Sequence, residues 1–156
     1  MTTKIILLSL LTALQITAHG QFSMSGYFNT SKELTKKKLA SSETTVLMKE
    51  SPTTLMYMLD AEKDEKGMLA SDKMMLLSFN NNKCDKVTLV LKKEEMNTFI
   101  ELFNESFVEN GEYHWTDYGG ETKWELVRLE NTKTDLGGQV ASWRDFFSLV
   151  ATPLRK

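Results

Sequence analysis

Apolar and polar residues alternate along much of the chain, and where the alternation stops the spacing becomes helical. Thr44 to Lys49 and Thr54 to Leu59 read as two strands around the turn-forming Glu50-Ser51-Pro52-Thr53. Lys73 to Phe79 and Lys86 to Lys92 read as two more, with Asn80 to Asp85 turning the chain between them. In the last of these Val87, Leu89 and Leu91 share one face while Thr88, Val90 and Lys92 share the other, so one side of the sheet should be the more buried. The charged stretch Asp60 to Gly67 cannot be buried and is expected as an exposed connection.

The period changes after Lys92. Met96, Phe99, Ile100, Phe103, Phe107 and Val108 fall at helical spacing and predict a long amphipathic helix from Glu94 to Asn110, with Gly111 as its stop. Glu94, Glu101, Glu105 and Glu109 would form a solvated row on its other side. Glu112 to Tyr118 and Glu121 to Glu130 then make a hairpin through Gly119-Gly120, and a two-residue loop fixes its register. Trp115 should face Trp124 and Tyr113 should face Leu126 on what should be the core face, with His114 opposite Glu125 and Thr116 opposite Lys123 on the other side. Val140, Trp143, Phe147 and Val150 return to helix-like spacing, with a last strand as the alternative because Phe146 and Phe147 adjoin. The expected fold is α+β: an antiparallel sheet of about six strands, with the long helix and a C-terminal helical segment packed on one face.

Two regions precede that domain. In residues 1–20, Lys4 stands before the apolar run Ile5 to Leu14, and Ala18-His19-Gly20 supplies small residues at a cleavage point before Gln21. This reads as a signal peptide, too short to span a bilayer. Residues 21–43 are polar, carry Lys36-Lys37-Lys38 and read as a flexible arm, although Thr30-Ser31-Lys32-Glu33 has capping-box spacing for a short helix through Leu34 and Leu39. Residues 44–156 form the single α+β domain.

Composition adds boundaries rather than an activity. A chain of 156 residues with 26% charged residues, two Pro and eight Gly suits one globular domain. The full chain has a formal charge of −2, and removing Lys4 with the leader makes it −3, which gives no footing for nucleic-acid binding. Export to a periplasmic or extracellular space usually brings disulfides, but Cys84 is the only cysteine. Lys83 and Lys86 would favour its thiolate and Asp85 would oppose it, making Cys84 the one candidate for a reactive thiol.

Candidate chemistry is sparse. A zinc site wants four strong ligands, and the mature chain offers His114 and Cys84 alone. Met56 and Met58 share a strand face near Met74-Met75, a set with the softness that copper(I) prefers, but core filling explains methionines there more simply. A thiol hydrolase would pair Cys84 with His114, oriented by Asp117 or Glu125, yet no local motif supports it. Gly119-Gly120 and Gly137-Gly138 lack the patterns that cradle phosphate. The expected function is therefore a small exported, non-catalytic binding module with no cofactor and no metal, meeting a protein or small-molecule partner through Tyr113, Trp115, Trp124, His114 and Glu125. Two alternatives stand beside it: a hydrolase-like enzyme using Cys84 and His114 or clustered carboxylates, and a carrier of an apolar ligand in a cavity beside Trp115 and Trp124.

Overall fold

Short turns chosen by local chemistry set the strand boundaries. The computed structural model describes residues 24–117, 121–129 and 145–154. A 3-10 turn over Met24–Tyr27 leads into α1 (Lys32–Leu39), whose first turn is capped by Ser31 Oγ accepting from the Leu34 N–H at 3.2 Å. Pro52-Thr53 reverses the chain between β1 (Val46–Ser51) and β2 (Thr54–Leu59). The charged connection that follows folds on itself as β3 (Glu62–Lys63) and β4 (Leu69–Ala70), where Asp64 Oδ1 accepts from the Lys66 and Met68 N–H groups. Asn81 and Asn82 take φ of 49° and 58°, the left-handed pair that a tight hairpin requires, and join β5 (Lys73–Asn80) to β6 (Lys83–Lys92).

After β6 come a 3-10 turn over Lys93–Glu95, α2 (Met96–Ser106), β7 (Val108–Gly111), β8 (His114–Thr116), β9 (Thr122–Arg128) and β10 (Phe146–Pro153). Eight strands form one antiparallel sheet in the order β1-β2-β5-β6-β10-β9-β8-β7. The order has an internal logic. α1 is followed by four sheet strands running from one edge to the centre, and α2 by four more running from the other edge inward. β6 and β10 meet antiparallel in the middle, with Leu89 opposite Leu149. The β3–β4 hairpin is an insertion in the first half.

One face of the sheet carries the core. Tyr57, Met75, Leu89, Leu149 and Leu126 align across β2, β5, β6, β10 and β9, and Met24, Tyr27, Leu39, Met96, Phe99 and Phe103 pack with that face. α2 is held by aromatic contacts, with Phe99 5.9 Å from Phe147 and Phe103 5.2 Å from both Trp115 and Trp124, centroid to centroid. α1 is tied to β1 by Lys32 and Lys36, which reach the two carboxylate oxygens of Glu50 at 2.8 and 2.9 Å.

The fold thus differs from the expected α+β domain of six strands, one long helix and a C-terminal helix: the described residues are mostly sheet, an eight-stranded antiparallel sheet and a two-stranded hairpin with two short α-helices. The long helix stops at Ser106, because Phe107 turns to φ −134° and ψ 167° and the chain continues as edge strand β7. Phe107 still stacks on Trp124 at 5.7 Å, so one contact serves either conformation and its spacing mimics a helix. Gly111 ends β7 rather than a helix, and Glu109 leaves the carboxylate row of α2 for that strand. Where a C-terminal helix was expected, β10 lies between β6 and β9. Residues 1–23, 118–120 and 130–144 lie outside the described residues, and with them the signal peptide, the Gly119-Gly120 turn and Val140 and Trp143. The described part of the expected arm holds α1, with Tyr27, Thr35 and Leu39 buried.

Candidate functional site

The β8–β9 hairpin has the register that its loop length predicts: His114 opposite Glu125, Trp115 opposite Trp124 and Thr116 opposite Lys123. Alternation then sends the five candidate binding residues to different surroundings. Trp115 and Trp124 enter the core, where Phe103 and Phe107 cover them. Trp115 Nε1 donates to Asn104 Oδ1 at 2.7 Å, while Trp124 Nε1 is buried without a hydrogen-bond partner. Tyr113 sits just before β8 with φ 59°; its carbonyl accepts from the Leu126 N–H and its hydroxyl from Arg128 Nη2 at 2.8 Å.

His114 and Glu125 lie on the other face, with His114 Nε2 3.4 Å from Glu125 Oε1 and His114 Nδ1 2.7 Å from the Glu112 carbonyl. Cys84 is on the core side, where its backbone pairs with that of Asn29 and Thr30. Burial, reinforced by the Asp85 charge, pushes its thiol up to about 11, so the question left open by its lysine neighbours is answered by desolvation. Three strand spacings separate β6 from β8, about 14 Å, and Cys84 lies three ladder steps from the His114 row, about 10 Å at right angles to that. Thiol and imidazole are on opposite sides of the sheet, far beyond hydrogen-bond reach. A Cys84–His114 catalytic pair is not assembled.

The second face carries a different arrangement. Met58, Met74, Val90, Ser148 and Val127 form one transverse row, and Met56, Leu76, Thr88, Val150, Glu125 and His114 the next. Met56, Val90 and Ser148 are buried at 8%, 6% and 4% exposure, whereas Met58, Met74, Leu76, Val127 and Val150 around them are half-buried. None of the described helices joins this patch. Beyond the second row the chemistry turns polar: Thr54, Ser78 and Lys86 align across β2, β5 and β6, and Thr152, Lys123 and Thr116 across β10, β9 and β8. An open depression of about 460 Å³ lies there, lined by Thr54, Ser78, Asp85, Lys86 and Thr152 among others. It shares Asp85 and Pro153 with a larger groove of about 920 Å³ that reaches Asn29, Lys83 and Glu121.

Sequence reading missed this face because both sides of β2 and β5 are apolar. Tyr57 and Met75 alternate with Met56, Met58 and Met74, and nothing in the alternation says which set meets the helices. Among the described residues no group of three or more His, Cys, Asp or Glu is placed to hold a metal ion, and no helix is long and apolar enough to cross a membrane. No family model, curated protein or solved structure matches the chain.

Proposed function

We propose that the protein is an exported, non-catalytic binding module that meets its partner through the face of the sheet that no described helix covers. The observation that carries the reading is the arrangement of that face, a half-buried apolar centre of Met58, Met74, Leu76, Val127 and Val150 bordered by Lys86, Lys123, Thr152 and the His114–Glu125 pair. An apolar centre inside a polar rim is the anatomy of a recognition surface. The separation of Cys84 from His114 removes the main support for a thiol enzyme. The leader at residues 1–20 supports export, and amino-terminal sequencing of material from outside the cytosol should begin at Gln21.

The test of the surface is site-specific photo-crosslinking in the producing cells. A photo-reactive residue at Leu76 or Val127 should give a discrete adduct that Val150→Lys abolishes, while the same probe at exposed Leu34 on α1 gives none. Adducts no more frequent from the sheet than from Leu34, or turnover by the purified chain that vanishes with Cys84→Ser or His114→Gln, would overturn the proposal.

A further inference from the structure

The methionines of β2 and β5 divide between the two faces. Met75 is 1% exposed in the core, opposite Tyr57, and fills space between sheet and helices as methionine commonly does. Met56, Met58 and Met74 point the other way, where no described helix meets them. The simple explanation for methionines in this stretch therefore covers Met75, extends in part to Met56 at 8% exposure, and leaves half-buried Met58 and Met74 unexplained.

Their register brings them together. Met58 and Met74 are directly opposed on adjacent strands, which places their Cβ atoms about 5 Å apart. Met56 is two residues along the same face of β2, about 7 Å from Met58. Each thioether ends a side chain with three rotatable bonds, so three sulfurs can gather over the Met58–Met74 pair without backbone movement. Val46 lies opposite Met58 on β1, Leu76 opposite Met56 and Val90 opposite Met74, so these register neighbours are aliphatic and carry no carboxylate. Lys49, opposite Met56, adds a positive charge. A hard divalent ion would find neither oxygen ligands nor a favourable field there, whereas thioethers select soft monovalent metal.

We infer that Met56, Met58 and Met74 form a thioether site for copper(I). The site rests on the reading that the face no described helix covers is the binding surface, and on export, since thioethers persist as ligands where free thiols oxidise. Cys84 is no competitor, being buried on the opposite face.

The experiment is an anaerobic competition of the full mature chain with the chromophoric chelator bicinchoninate for copper(I) alone. One equivalent should be retained, and Met58→Leu with Met74→Leu should weaken retention at least tenfold. Leucine is close to methionine in volume, so the fold and the apolar surface survive the change. Met48→Leu, Met68→Leu and Cys84→Ser should leave retention unchanged. No retention by the parent chain, or retention that survives the paired leucines, or retention lost with Cys84→Ser, would overturn the site. Because the leucine variants keep the apolar face, an intact photo-adduct from Leu76 beside absent copper binding would sink the metal site while leaving the broader reading standing.

Discussion

Phe103 is the residue on which the second half of the sheet is hung, and Phe103→Ala should be the most costly truncation in the described core. Its ring is fully buried and lies 6.2 Å from Phe99, 5.1 Å from Phe107 and 5.2 Å from both Trp115 and Trp124. Truncating a core phenylalanine costs about 3–5 kcal/mol, against a total stability of about 5–15 kcal/mol for a domain of this size. Phe103→Leu should cost less, because it refills most of the volume and loses mainly ring contacts worth about 0.5–1.5 kcal/mol each. Val150→Ala on the opposite face is the control, and its half-buried methyls should cost about 1 kcal/mol or less. Urea unfolding followed by tryptophan fluorescence and far-ultraviolet circular dichroism measures all three. If Phe103→Ala lowered stability no more than Val150→Ala does, the placement of α2 over Trp115 and Trp124 would be wrong.

Other consequences follow from local geometry. Burial raises the Cys84 thiol in the folded chain, so the unfolded chain ionises first; stability should fall as pH rises from about 9 to about 11, and Cys84→Ala should flatten that slope in urea titrations. For the same reason a thiol reagent should label native protein slowly and unfolded protein fast. Lys32 and Lys36 hold the Glu50 carboxyl below the usual carboxylate range. The stabilisation it gives is present at neutral pH and lost as acid protonates it in the folded chain, so Glu50→Gln should remove part of the acid-side decline in the urea midpoint. Ser31→Ala removes the cap of α1 and should cost about 1 kcal/mol in the same assay.

Hairpins were legible in the sequence where turn chemistry was explicit. Gly119-Gly120 allowed residue-by-residue counting, which is why the Trp115–Trp124 pair and its place on the core face are correct; the same burial takes both Trp side chains out of the list of candidate binding residues. β10 stayed open between helix and strand because Phe147, Ser148 and Leu149 are buried in succession at the sheet's centre, and a run without alternation carries no period of two. β7 was hidden because Phe107 keeps its contact with Trp124 while the backbone changes from helix to strand. α1 has a thin apolar stripe, Leu39 with Thr35, so its place was decided by tertiary partners, among them Glu50, that no local pattern reveals. The candidate surface was illegible for a related reason: two apolar faces on one sheet look alike until the helices choose between them.

That choice is the central claim, and methionine oxidation reads it directly. Dilute hydrogen peroxide on the native chain, with products located by peptide fragmentation, should oxidise exposed Met48 and Met68 first, then Met58 and Met74, and spare Met75. Met75 oxidising as fast as its neighbour Met74, or Met58 and Met74 as protected as Met75, would contradict a sheet with one face under the described helices and the other not covered by them.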